Sequence, residues 1–107
     1  METIKTNELK QMMENDEVIV IDVLEEDEYK KSHIKGAINI PLKKIGFEAR
    51  KNFKKDDKIV VYCSDSECTA SPTAAKKLED SGFTDIYHYK GGKKEWKEAG
   101  LPMENYG

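Results

Sequence analysis

Two short runs in this chain are apolar at every position: Val18-Ile19-Val20-Ile21, closed by Asp22, and Ile59-Val60-Val61-Tyr62. A strand with no polar face has none to turn to water, so runs of this kind are expected inside a parallel sheet covered by helices on both sides. Ile86-Tyr87-His88-Tyr89 is a third candidate strand. Helical segments are expected between and around these runs. The first follows Thr6 as N-cap, with Leu9, Met12 and Met13 on one face. Others cover Glu26 to Ser32, part of Leu42 to Phe53, Thr73 to Ser81, and Lys93 to Glu98. Strand and helix alternate, which implies an α/β fold: a central, mostly parallel sheet with helices on both faces and a ligand site beyond the carboxyl ends of the strands.

At 107 residues the chain has the size of one ordinary domain. Charged residues make up 36% of it and the formal net charge is -3, but the two signs are interleaved, which argues against nucleic acid as a partner. The start, Met1-Glu2-Thr3-Ile4-Lys5, is charged where a secretion signal is apolar, and no run approaches the ~18 apolar residues of a membrane span. A cytoplasmic location, with no membrane partner, is the expectation. The tail 101–107 is expected to fray in part. Two cysteines and two histidines in no ligand spacing make neither a disulfide scaffold nor a zinc site, and no metal or cofactor is expected.

Cys63 follows the second apolar run directly, at the sheet edge where active sites collect. Ser64-Asp65-Ser66-Glu67-Cys68-Thr69-Ala70 is small, polar and turn-prone, and Ser71-Pro72 reads as an N-cap with proline at the first helical position. Such a loop turns successive N–H groups inward, and the helix start adds a positive dipole end. A cysteine there is expected to ionise more readily than a free thiol. The competing reading is a buried, inert cysteine, the commoner fate of a lone thiol. Its place at the end of the run, facing a polar loop, favours reactivity. Cys68 has two readings of equal weight: a second thiol that resolves an oxidised or persulfidated Cys63, or packing under the helix start.

In order along the chain, Ile21-Asp22-Val23, Glu28-Tyr29, His33-Ile34-Lys35-Gly36-Ala37-Ile38-Asn39-Ile40-Pro41, Val61-Tyr62-Cys63, Ala74-Ala75, Gly82-Phe83, Gly91-Gly92, Trp96 and Gly100-Leu101-Pro102 resemble the landmarks of the rhodanese-like, or thiosulfate sulfurtransferase, family. The resemblance implies a five-stranded, largely parallel sheet. It also implies that Cys63 takes the outer sulfur of a donor as a persulfide and passes it to a thiol or cyanide. The amides of Ser64, Asp65, Ser66, Glu67, Cys68 and Thr69 would cradle the anion. The partners implied are a small-molecule or protein sulfur donor and a thiol acceptor.

Three features depart from that pattern. Leu24 stands where arginine is usual, the loop lacks the usual glycine and Arg-Ser ending, and it is about two residues longer. Asp65 and Glu67 add negative charge that opposes a thiolate and an anionic donor such as thiosulfate, which favours a polysulfide or a protein persulfide. Without an arginine to clamp phosphate, a phosphatase is disfavoured. Two rival functions stay open: a thiol redox protein cycling Cys63 and Cys68, and a non-catalytic interaction module. Asp22 and His33 are expected to bond backbone, His88 to fill one face of the sheet, Gly91-Gly92 to form a positive-φ turn, and Trp96 to pack in the core.

Overall fold

A computed structural model describes residues 1–15 and 17–106. In chain order the elements are β1 (Glu2–Ile4), α1 (Thr6–Asn15), β2 (Ile19–Asp22), α2 (Glu26–Lys31), β3 (His33–Ile34), β4 (Ile38–Asn39), a 3-10 turn at Leu42–Lys44, α3 (Ile45–Asn52), β5 (Lys58–Tyr62), α4 (Ala70–Asp80), β6 (Asp85–Tyr89), α5 (Gly92–Glu98) and β7 (Met103–Glu104). Five strands form one sheet in the order β1-β6-β5-β2-β4. Every pair in it is parallel.

The two apolar runs lie beside each other as β2 and β5, with Val20 opposite Val60 and Ile21 opposite Val61. Successive side chains point to opposite faces, and both faces are covered. On one, Ile21, Ile59, Val61 and Ile86 pack with Ile45 and Ala49 of α3 and Ala74, Ala75 and Leu78 of α4. On the other, Val20, Val60, Tyr62 and Tyr89 pack with Leu9 of α1 and Trp96 of α5. No helix among the described residues is long and apolar enough to cross a membrane.

Several boundaries differ from the sequence reading. Thr6 is the first residue of α1 rather than its cap. Its hydroxyl lies 2.7 Å from the Tyr89 hydroxyl, while Lys5 N–H donates to the Glu8 carboxylate three residues on (3.0 Å), as one arm of a capping box does. The tail does not simply fray. β7 pairs antiparallel with β3, and Tyr106 N–H donates to the Lys30 carbonyl (2.8 Å). Gly107 lies outside the described residues. α4 begins at Ala70, ahead of Ser71-Pro72, and Thr69 at its N-cap makes no side-chain cap bond. Ser71 is therefore not the cap. Pro72 falls in the first helical turn, where the N–H it lacks would have no helical partner.

Candidate active site

β5 ends at Tyr62, and Cys63 is the next residue, 1% exposed beneath the loop that leads to α4. Cys68, at the far end of that loop, is half-buried and bonded to it as a disulfide. The loop brings together residues 63 to 69 as the sequence suggested. Its amides are not all turned to a common centre, however. Asp65 curls the chain back: its carboxylate accepts from Glu67 N–H (3.0 Å) and its carbonyl from Cys68 N–H (3.2 Å), an Asx turn closed by backbone. Two of the six amides expected to cradle an anion are thus engaged within the loop.

The other wall is the start of α5. Lys93 N–H donates to the Cys63 carbonyl and Lys94 N–H to the Ser64 carbonyl, both at 3.0 Å. Gly92 makes that approach possible. Its φ is +65°, and a Cβ there would stand 2.6 Å from the Cys63 carbonyl oxygen and 2.8 Å from the Ser64 carbonyl carbon. The expected positive-φ turn at Gly91-Gly92 is therefore a close backbone contact with the cysteine loop.

Two residues beside the sulfur were missed as site residues. Ser71 Oγ lies 3.2 Å from Cys63 Sγ and 2.8 Å from His88 Nε2. Ser71 is 1% exposed and His88 6%. Burial, and the nearby Lys90 ammonium, hold the His88 imidazole below its ordinary pKa. His88 does occupy one face of the sheet, as expected, and that face is the one carrying Cys63. The available signal was its phase: it alternates with Tyr87 and Tyr89 and shares a side with the apolar Ile86.

A second buried polar group lies at the end of β2. Asp22 is fully buried, and its Oδ1 accepts from Leu24 N–H (2.9 Å), the backbone-capping role expected of it. Burial pushes its carboxyl pKa up, against the pull of the Leu24 N–H and of the neighbouring Tyr62 hydroxyl and Lys93 ammonium. The Tyr62 hydroxyl accepts from Ile34 N–H (3.0 Å), and burial raises its pKa too. His33 stacks on Tyr29 with ring centroids 3.7 Å apart, and its Nδ1 lies 2.8 Å from the Tyr29 carbonyl. Lys93 reaches across to donate to the carbonyls of Glu28 (3.2 Å) and Ser32 (3.1 Å). Trp96 is core, as expected, with its indole N–H on the Pro102 carbonyl (2.8 Å). Among the described residues no cluster of His, Cys, Asp or Glu could hold a metal ion.

A parallel five-stranded sheet flanked by helices, with a cysteine loop between a strand end and a helix start, defines a rhodanese-type α/β domain. The rhodanese-like domain model matches residues 5–99, and the chain belongs to that family. It is 35% identical over 97 residues to the HTH-type transcriptional regulator Rv0324 of Mycobacterium tuberculosis, covering 91% of this chain and 42% of that protein. It is 33% identical over 89 residues to the putative sulfur carrier protein YrkF of Bacillus subtilis, covering 81% and 46%. The thiosulfate sulfurtransferase GlpE of Coxiella burnetii is 27% identical over 87 residues, covering 81% and 78%. The chain thus spans about half the length of the first two relatives. The rhodanese-like domain of the Anabaena protein Alr3790 superposes with a TM-score of 0.90 at 27% identity, covering 98% of this chain and 80% of that one.

Proposed function

We propose that this domain carries sulfane sulfur on Cys63 as a persulfide and delivers it to a thiol or cyanide acceptor. The observation that carries this reading is the placement of Cys63: buried at the end of β5, facing the N-terminus of α4, with Ser71 Oγ 3.2 Å from the sulfur. A helix start and a hydroxyl donor both favour a thiolate or a persulfide anion there. Family membership and the sulfur-carrier and sulfurtransferase relatives point the same way.

In the loading step the reduced Cys63 thiolate attacks the outer sulfur of the donor. The new bond joins that sulfur to Sγ, the donor's sulfur–sulfur bond breaks, and the electron pair leaves with the donor remnant, a sulfite from thiosulfate or a shortened polysulfide. An acceptor thiolate or cyanide then attacks the outer sulfur, and Cys63 departs as thiolate. The loop amides not engaged by Asp65 serve the anion. Asp65 and Glu67 disfavour the dianionic thiosulfate, so a polysulfide or protein persulfide is the better donor.

The disulfide supports a second role for the same loop, a redox cycle in which Cys68 resolves Cys63. Its thiolate attacks the inner sulfur of the persulfide, forming the Cys63–Cys68 bond and expelling hydrosulfide. The test is intact-protein mass spectrometry of the reduced domain after brief exposure to thiosulfate and, separately, to polysulfide, with Cys63→Ser as control. A gain of one sulfur mass, reversed by cyanide and absent in the control, supports the carrier. A loss of two hydrogens supports the redox cycle. No change with either donor rejects both and leaves a binding module.

A further inference from the structure

We propose that His88, acting through the Ser71 hydroxyl, accepts the Cys63 proton and so sets the ionisation of the nucleophile. This rests on the reading of Cys63 as a reactive thiol and names the group that makes it one. The three atoms form a continuous chain, Cys63 Sγ to Ser71 Oγ at 3.2 Å and Ser71 Oγ to His88 Nε2 at 2.8 Å, and all three residues are buried. Their meeting follows from the sheet. Val61 is paired with His88 across β5 and β6, Cys63 lies two residues beyond Val61 on the same face, and α4 packs over that face with Ser71 in its first turn.

Once an external dithiol has reduced the Cys63–Cys68 bond, the Cys63 S–H donates to Ser71 Oγ and the Ser71 O–H donates to the neutral imidazole. Two protons then shift one place each. Cys63 becomes a thiolate, Ser71 keeps the proton it received and donates a hydrogen bond to the sulfur, and His88 becomes an imidazolium. No bond between heavy atoms changes and no electrons are transferred. A relay answers a specific lack: the loop 64–69 has no basic side chain and carries Asp65 and Glu67, so no cation in it could favour the thiolate.

The elements packed around His88 leave little else to titrate. β1 places Thr3 opposite it, β5 places Val61, and α4 presents Ser71. Lys90, just past the end of β6, is the charge that acts on the ring. That ammonium and burial hold the imidazole below its ordinary pKa while Cys63 is tied in the disulfide, so Nε2 is free to accept; once the bond is reduced, the Cys63 thiolate is the opposite charge that stabilises the imidazolium.

The experiment follows thiolate formation in the reduced protein by ultraviolet absorbance against pH, and alkylation of Cys63 and Cys68 separately by peptide mass spectrometry. In His88→Asn the Cys63 pKa is expected to rise by about one unit, lowering its thiolate fraction near neutral pH about tenfold, with the Cys68 profile unchanged. Ser71→Ala is expected to do the same, and the double variant to be no worse than either single one. A Cys63 profile in folded His88→Asn equal to wild type overturns the relay. So does additive loss in the double variant. If His88→Asn does not fold, His88→Gln decides on the same readout. Sulfur loading by polysulfide is measured in parallel on the wild type: loading with an unshifted His88→Asn profile rejects the relay and keeps the carrier, whereas a shifted profile without loading keeps the relay and rejects the carrier.

Discussion

Gly92 and Gly100 provide a matched pair for measuring how tightly α5 is pressed against the cysteine loop. Both have left-handed backbone, with φ of +65° and +75°. An alanine at either position meets the left-handed penalty of about 1–2 kcal/mol. At Gly100, which ends α5 with its N–H on the Lys97 carbonyl, an added Cβ finds nothing within 4 Å, so that penalty is the whole cost. At Gly92 the Cβ meets the Cys63 carbonyl oxygen at 2.6 Å, the Ser64 carbonyl carbon at 2.8 Å and the Asp65 nitrogen at 2.9 Å. These are backbone atoms with no rotamer to change. Separating them adds an overpacking cost of about 1–3 kcal/mol and weakens two hydrogen bonds, Lys93 N–H to Cys63 and Lys94 N–H to Ser64, worth about 1 kcal/mol each. Gly92→Ala should therefore cost about 3–6 kcal/mol, a large part of the ~5–15 kcal/mol that holds a domain folded. In urea its midpoint should lie about 2 M or more below wild type, while Gly100→Ala moves less than half as far. Equal costs for the two alanines would refute the close contact, and with it the claim that α5 fixes the position of the loop.

Asp22→Asn tests the buried carboxylate through pH. The folded state raises the Asp22 pKa above the ordinary 3.8, so it binds the proton more tightly than the unfolded chain. Stability from this group is complete below pH 3.8 and is lost as pH rises through the folded value. The stability of Asp22→Asn relative to wild type should therefore climb as pH rises above 3.8 in urea titrations, and a difference that falls with pH would contradict the assignment. Tyr62→Phe leaves the buried Ile34 N–H without its acceptor and should cost about 1–3 kcal/mol. Amide exchange should quicken at Ile34 in that variant, and unchanged protection there would show that the bond is not formed.

Much of the architecture was legible because burial on both faces leaves a plain mark in composition. Ile19 to Ile21 and Ile59 to Val61 carry no polar side chain, and they lie in β2 and in its neighbour β5, the central strand. The edges carry no such mark. β1 buries only Ile4, and β3, β4 and β7 are two residues long, too short for any periodicity. The start of α4 was misplaced for a different reason. Ser before Pro is the pattern of a cap, but a proline is tolerated throughout a first helical turn, so the pair marks the turn and not its first residue.

The site divides along the same line. Cys63 could be found because a strand end followed by a turn-prone loop is a local pattern. The Ser71–His88 contact could not, since it depends on the parallel register of β5 with β6 and on α4 crossing one particular face. That contact also changes how an acidic loop is to be understood. A thiolate needs compensation from somewhere, and here the Asp65 carboxylate is turned back onto Glu67 N–H, while the backbone donors of Lys93 and Lys94 are spent on the loop's carbonyls. What remains facing the sulfur is the start of α4, the Ser71 hydroxyl and, behind it, a buried imidazole. In the proposed carrier, compensation from beneath would leave the outer rim free to be acidic, and an acidic rim would select against a dianionic donor by the same electrostatics that would otherwise penalise the thiolate.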